Sequence, residues 1–373
     1  MIDQILKKIQ KPTIILSKER VLRNIRRMAE KAKESGVFFR PHFKTHQSAE
    51  IGEWFRGFGV TGITVSSVSM AEYFSKKGWK DITIAFPVNI REMDSINNLS
   101  SKISLNLLVL SKDVLRILEN FLQNKVNLWI KIDVGYKRTG IPWDDFDSIL
   151  DIASEIEKSK KLNLEGILTH AGHSYHCKSR EEILHVYNDS VQKMKRVKEI
   201  IEGKLAKKIK ISIGDTPTCS LVERFEGIDE IRPGNFVFYD VMQLELGSCR
   251  EEDIAIAVAC PVVAKHPGRK EIVLYCGAVH LSKDFILNKD GSKIFGYLAF
   301  PEGEVWGPII KNSFISSLSQ EHGILKTNED NFERIKVGEV VLILPVHSCL
   351  TVDALKRYLT SDGEEIECGF FKN

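Results

Sequence analysis

The chain predicts an α/β fold, a (β/α)8 TIM-type barrel with a C-terminal β-rich domain, and three observations carry that prediction. From Val37 onward, short β-branched and apolar runs alternate with amphipathic helical stretches, with no long linker between them. After about Leu246 this alternation stops, and strand-like runs follow with little helical periodicity. The length of 373 residues suits a barrel of about 250 residues with a second domain of roughly 100.

Eight barrel strands are read as Val37–Phe43, Gly62–Ser66, Asp81–Phe86, Leu105–Leu110, Val126–Val134, Leu162–Thr169, Ile209–Gly214 and Ile228–Phe236. Helices such as Met70–Lys77, Lys112–Phe121, Asp144–Lys158 and Arg180–Ile201 lie between them. Strands that alternate with helices pair in parallel through crossovers, and eight such units close a barrel. An open doubly wound sheet would need fewer strands or a glycine-rich phosphate turn after the first, and the sequence has neither. The expected domains are residues 15–245 for the barrel and 246–373 for the β-domain. The latter contains the strand-like runs Ile254–Val263, Glu271–Tyr275 and Gly338–Leu344, and the stretch Asp284–Ser317 rich in Gly, Phe and Pro. Residues 1–14 are expected to join it, because the apolar run Pro12–Leu16 has no barrel slot.

Composition narrows the partners. Lys+Arg 53 against Asp+Glu 50 gives a net charge of +3, with lysines spread along helical stretches such as Lys193–Lys210, so nucleic acid is not expected. No apolar run approaches about 18 residues, and the opening Met1-Ile2-Asp3-Gln4 lacks a signal-peptide pattern. A cytoplasmic protein without membrane contact is expected. Seven cysteines at irregular spacing argue against a secreted disulfide framework.

Chemistry-bearing residues fall just after the predicted strands, on the barrel face where loops vary freely. Lys44 ends strand one within Arg40-Pro41-His42-Phe43-Lys44-Thr45-His46. A primary amine among Arg40, His42 and His46 has cationic neighbours that disfavour its proton, and a deprotonated amine can attack an aldehyde cofactor. The same run also reads as a solvated basic turn. Arg138, after strand five, offers a planar donor fork suited to an oxyanion or phenolate, or to a surface salt bridge. His170, His173 and Tyr175, after strand six, supply acid–base groups or a lid, or merely structural histidines. Gly214, Asp215, Thr216 and Thr218 open a helix, Cys219–Arg224, as an anion site or as a plain N-cap. The neighbouring Gly234-Asn235 favours phosphate. In the β-domain, His347 and Cys349 lie two apart on what reads as an extended strand, so both face one way and suit zinc; a chance pair with a buried cysteine is the alternative.

Taken together, these segments, with Asp133-Val134-Gly135-Tyr136-Lys137-Arg138-Thr139-Gly140, Arg232-Pro233-Gly234-Asn235 and Pro345-Val346-His347-Ser348-Cys349, resemble the D-threonine aldolase and D-serine dehydratase family. The resemblance spans nearly the whole chain. It implies an alanine-racemase-like, fold type III barrel that holds pyridoxal 5'-phosphate (PLP), and a β-domain that supplies a divalent metal, zinc or manganese. It implies Lys44 as the Schiff-base lysine, Gly214, Thr216, Gly234 and Asn235 as the phosphate cradle, and Arg138 near the phenolic oxygen. Tyr175 would pack near the ring, Arg232 would face the pyridine nitrogen, and His347 and Cys349 would form the metal pair. Family members with a carboxylate at the position of Cys349 are often aldolases, so the thiol tilts this chain toward dehydration. The resemblance also implies a homodimer acting on D-amino acids. Two competing readings are a metal-free amino acid racemase, with Tyr275 or Tyr297 as second base, and a non-catalytic PLP-binding protein.

Overall fold

The computed structural model describes residues 2–369. The chain divides into two compact units, one of residues up to Ile25 together with Asn235–Cys368, the other beginning at Arg26 and running to Gly234.

The Arg26–Gly234 unit is the barrel. Its strands are Phe38–Phe39, Ile63–Val65, Asp81–Pro87, Ser104–Val109, Val126–Asp133, Leu162–Leu168, Lys210–Ile213 and Glu230–Ile231, here called strands one to eight. All pair in parallel, each beside its neighbour in the chain, and strand eight pairs with strand one. Closure between strands one and two comes from the bridge His42–Thr64, with Phe43 N donating to the Thr64 carbonyl at 2.8 Å and Thr64 N to the Pro41 carbonyl at 2.9 Å. Strand one is shorter than Val37–Phe43 because Pro41 has no N–H for the ladder and the chain turns at Phe43. Strand eight is likewise shorter than expected, ending before Pro233.

Strand five illustrates why these runs become barrel strands. In Val126–Asp133 the apolar residues Val126, Leu128, Trp129, Ile130 and Ile132 are all buried, as both faces of a covered parallel strand require. The helix Arg180–Leu205 buries Ile183, Tyr187, Val191, Met194, Val197 and Ile201 at three- and four-residue spacing. Ser179 caps it, its hydroxyl accepting from Glu182 N at 3.2 Å.

In the other unit, Thr13–Leu16 pairs antiparallel with Ile256–His266 and parallel with Arg357–Thr360. Six antiparallel strands close a ring in the order Ile256–His266, Glu271–Tyr275, His322–Lys326, Val305–Leu318, Gly296–Glu302 and Val340–Pro345. The stretch read as Gly- and Pro-rich thus contributes two long paired strands. The ring is filled by Val258, Ile272, Leu274, Leu298, Ile315, Leu325 and Ile343. Among the described residues no helix is long and apolar enough to cross a membrane.

Candidate active site

Lys44 sits in the tight turn after strand one, exposed, beside a fixed anchor. Phe43 is fully buried, with ring centroids 4.4 Å from His46, 5.0 Å from both Phe55 and Phe74, and 5.2 Å from Trp79. The turn is tied by Lys44 N donating to His42 Nδ1 at 3.3 Å and Gln47 Nε2 to the Lys44 carbonyl at 3.1 Å. Of the three neighbours read as cations around Lys44, two are neutral rings and the third is engaged by carboxylates. Burial pushes His42 well below its usual value, with the Lys44 charge adding to the effect, and burial pushes His46 down to about 3, so both rings are neutral. Arg40 is drawn away from the turn by carboxylates, its Nε 2.6 Å from Glu230 Oε2 and its Nη atoms 2.7 and 2.9 Å from the two oxygens of Asp81.

Arg40 belongs to a row of alternating charge inside the barrel. Glu230 also accepts from Ser212 Oγ at 2.6 Å and lies 3.9 Å from Arg232 Nε. Arg232 donates to Ser212 Oγ and to the Thr169 carbonyl, each at 2.6 Å. At the other end Asp81 accepts from Asn106 Nδ2 at 2.8 Å. Burial lowers Arg232 to about 10 against the pull of Glu230, so the guanidinium stays charged at neutral pH. Among the described residues, Arg232 and Arg40 can be buried as cations because Glu230 and Asp81 offset them.

The phosphate-type turn follows strand seven. The helix it opens is Thr216–Leu221, not Cys219–Arg224, because Asp215 is its N-cap. The Asp215 carboxylate accepts from Thr218 N at 3.0 Å, Thr218 Oγ1 at 2.8 Å and Ser174 Oγ at 2.8 Å. Lys31 Nζ holds the far end through the carbonyls of Cys219, Ser220 and Val222 at 3.0, 2.7 and 2.8 Å. The N-cap reading therefore holds, and it leaves room for an anion at Thr216. Thr216 Oγ1 is buried with no hydrogen-bond partner among the described residues, and Thr216 N donates to Tyr175 OH at 3.3 Å. An orphaned buried hydroxyl calls for an acceptor or donor that the protein does not supply, which fits a phosphate.

Two glycines join this turn to the lysine turn. A Cβ on Gly214 would come within 2.9 Å of the Arg232 backbone, and one on Gly234 within 3.0 Å of His42 and 3.1 Å of Thr45 Oγ1. The ends of strands seven, eight and one thus touch, and Lys44, His42, Arg232, Gly234, Gly214 and Thr216 meet at one barrel face. His170 joins them, its Nδ1 bonded to the Gly214 carbonyl. Arg138 lies over the Tyr136 ring at 5.2 Å, and Tyr136 is edge-on to His170 at 5.9 Å. His173 stacks on Tyr136 at 6.4 Å; burial, then the Lys193 charge, lowers its pKa, so it is neutral at pH 7.

One barrel residue escaped the sequence reading. Lys131, in the apolar strand Val126–Asp133, is buried and pushed down to about 7 by burial, then by Arg232 and Arg138. Its signal was present, a single lysine in a strand otherwise buried on both faces.

The metal candidates lie in the second unit. His347 and Cys349 are not on a strand. Val340–Pro345 ends first, and His347 is the N-cap of the helix Ser348–Leu355. The pair still converges, because a cap residue and the second helical residue share the turn, and His347 is hydrogen-bonded to Cys349. His347 Nδ1 is 2.6 Å from Asp284 Oδ2. Burial disfavours the ring's charge, but Asp284, Cys349 and Asp240 outweigh it and hold the imidazole up at about 11. Asp284 was missed from sequence, since 63 residues separate it from His347. Among the described residues no group of three His, Cys, Asp or Glu side chains could hold a metal by itself. The Asn235 carboxamide donates to Asp240 Oδ2 at 2.6 Å, Ser348 Oγ at 3.0 Å and Cys349 Sγ at 3.7 Å, so its side chain supports the Cys349 turn. Tyr275 ends its strand edge-on to His280 at 5.5 Å. Burial, then Glu245, raises the Tyr297 phenol, which makes it a poor base at neutral pH.

A closed parallel barrel with a lysine turn, an orphaned hydroxyl at a helix start and a buried arginine between them, continued by an antiparallel β-unit, defines an alanine-racemase-like enzyme. The chain matches the family described as alanine racemase, N-terminal domain, over residues 16–241, and the putative serine dehydratase domain over residues 255–361. It is 30% identical over 380 residues to D-serine dehydratase of Dictyostelium discoideum, covering 93% of this chain and 92% of that protein. The solved D-threo-3-hydroxyaspartate dehydratase from Delftia superposes with a TM-score of 0.90 at 27% identity, covering 97% of this chain and 98% of that one. A cysteine-to-alanine mutant of that dehydratase, in a metal-free form, superposes equally, at 26% identity and with the same coverage. 3-Hydroxy-D-aspartate aldolase of Paracoccus denitrificans is 25% identical over 240 residues, covering 62% of this chain and 61% of that protein. The chain belongs to the D-serine dehydratase and D-threonine aldolase family of PLP-dependent lyases.

Proposed function

We propose that the protein is a PLP- and divalent-metal-dependent lyase for D-β-hydroxy-α-amino acids, and that it removes water from a D-serine-type substrate. The observation that carries this reading is the pairing of His347 with Cys349 at one turn, with Asp284 on His347 Nδ1, in a chain related over 93% of its length to D-serine dehydratase. Imidazole with thiolate is a donor set suited to zinc, and a two-residue set leaves positions for water or substrate. The metal-free form of a cysteine mutant of the Delftia dehydratase supports the same reading.

In the barrel, Lys44 would carry the cofactor, with Thr216 and the close-packed Gly214 and Gly234 at its phosphate. Arg138 would serve the phenolic oxygen, Tyr175 the ring, and Arg232 the pyridine nitrogen. When bound, PLP stores the negative charge left at Cα, and the metal acts as Lewis acid toward the β-oxygen. Lys44 Nζ would take the Cα proton. His173 and His170, both neutral, would position or exchange protons around the same face. Arg232 stays cationic, so it would orient the ring without giving up a proton.

We also propose a cytoplasmic homodimer without nucleic-acid or membrane partners. Val279, Phe285, Leu287 and Leu350, in the unit that holds His347, are exposed apolar side chains that a second copy would cover. The test of the metal reading is zinc content and turnover. Chelation should remove both zinc and lyase activity while PLP stays bound, and added zinc or manganese should restore turnover; full activity in the stripped protein contradicts it.

A further inference from the structure

We infer that Asp284 is a positioning residue, fixing His347 through Nδ1 so that Nε2 is the nitrogen offered to the metal. The inference rests on the metal reading above and adds a residue to it.

The geometry supports this from three sides. Asp284 Oδ2 lies 2.6 Å from His347 Nδ1, within hydrogen-bond range for a charged acceptor. A ring nitrogen that donates to a carboxylate cannot also bind a cation, so the tautomer and the free nitrogen are set together. Asp284 itself is held in place. The chain leaves the helix Ala278–Leu281 through Ser282, a non-glycine residue at φ +71, and Ser282 Oγ accepts from Asp284 N at 3.2 Å. Thr351, on the helix that follows His347, donates its hydroxyl to the carbonyls of both Leu281 at 3.4 Å and His347 at 3.1 Å. That hydroxyl staples the Asp284 segment to the His347 turn, although the two are 63 residues apart.

The second donor has an outer partner of its own. Asn235 Nδ2 approaches Cys349 Sγ at 3.7 Å, and Asp240 fixes both Asn235 and Ser348. Each candidate donor therefore has a dedicated support, as in metal sites where the ligands' own partners set their orientation.

The alternative is that Asp284 ligates the metal directly. The two roles separate by substitution. Asn at position 284 keeps an oxygen that accepts from Nδ1–H, whereas Ala keeps nothing. The experiment uses the full-length, PLP-loaded protein stripped of metal, and measures Zn²⁺ affinity by competition with a chromophoric chelator. Thermal melting and PLP absorbance serve as folding controls. For Asp284→Ala, affinity should fall about 10- to 100-fold, and Asp284→Asn should recover most of the loss. Unchanged affinity in Asp284→Ala overturns the inference, and so does an Asn variant as weak as the Ala variant, which marks a direct ligand. If His347→Ala binds Zn²⁺ as tightly as the native protein, the metal reading itself fails, and the inference fails with it.

Discussion

Inside the barrel, Asp81, Arg40, Glu230 and Arg232 form a row of alternating charge, whereas the six-stranded ring of the other unit is filled by Val258, Ile272, Leu298, Ile315 and Leu325. Buried charges seldom stabilise a fold better than well-packed apolar groups would. The ring can therefore be understood as a scaffold, and the barrel interior as a device that keeps Arg232 charged and oriented at the face that carries Lys44. The candidate donors of the second unit, His347 and Cys349, sit at a strand-to-helix turn.

That contrast can be broken at several points. The largest effect is expected at the lysine. Lys44→Ala should abolish the visible absorbance of bound cofactor and all lyase turnover; a variant that keeps the native spectrum removes Lys44 from its role. Next come the two interiors. Glu230→Ala strands Arg40 and Arg232 without their shared anion and should lower stability by about 3–5 kcal/mol, with a change in the cofactor spectrum. Leu298→Ala opens a cavity in the ring and should lower stability by about 2–5 kcal/mol, with the spectrum unchanged. Denaturant unfolding followed beside the absorbance separates them, and equal spectra in both variants would erase the functional contrast.

A smaller effect concerns pH. Burial depresses the His46 pKa in the folded chain to about 3, below its ordinary value of 6.5. The unfolded chain therefore binds the proton more readily, and His46's contribution, full above about pH 6.5, is lost as pH falls toward 3. The slope approaches about 1.4 kcal/mol per pH unit for this one group. His46→Phe should flatten that part of the profile in urea unfolding between pH 7 and 5; an unchanged slope contradicts it. Smallest of all, Thr216→Val should weaken PLP binding about 10-fold, or about 1.4 kcal/mol, read by cofactor titration of the apoprotein.

The barrel was legible because its periodicity is local. All eight strand runs were found, and Lys112–Phe121 was bounded to the residue. Boundaries moved where a single residue overrides the pattern, as Pro41 and Pro233 do to strands one and eight. The site was only partly legible. Lys44, Arg232 and Thr216 stand out by type and place, but their surroundings depend on distant chain. Glu230 is 190 residues from Arg40, and Asp284 is 63 from His347. Neither pairing leaves a mark in spacing. The His347 turn reads as strand in the sequence because helix Ser348–Leu355 carries too weak an apolar pattern to announce its start.

Metal-assisted dehydration of D-β-hydroxy-α-amino acids is the activity proposed for this chain. The direct test is to incubate the purified, PLP-loaded protein with D-serine and with D-threonine, with zinc or after chelation, and to identify the products. Pyruvate from D-serine, lost on chelation and regained with zinc, is expected. Glycine and acetaldehyde from D-threonine without pyruvate from D-serine, or pyruvate formed undiminished after chelation, would contradict it.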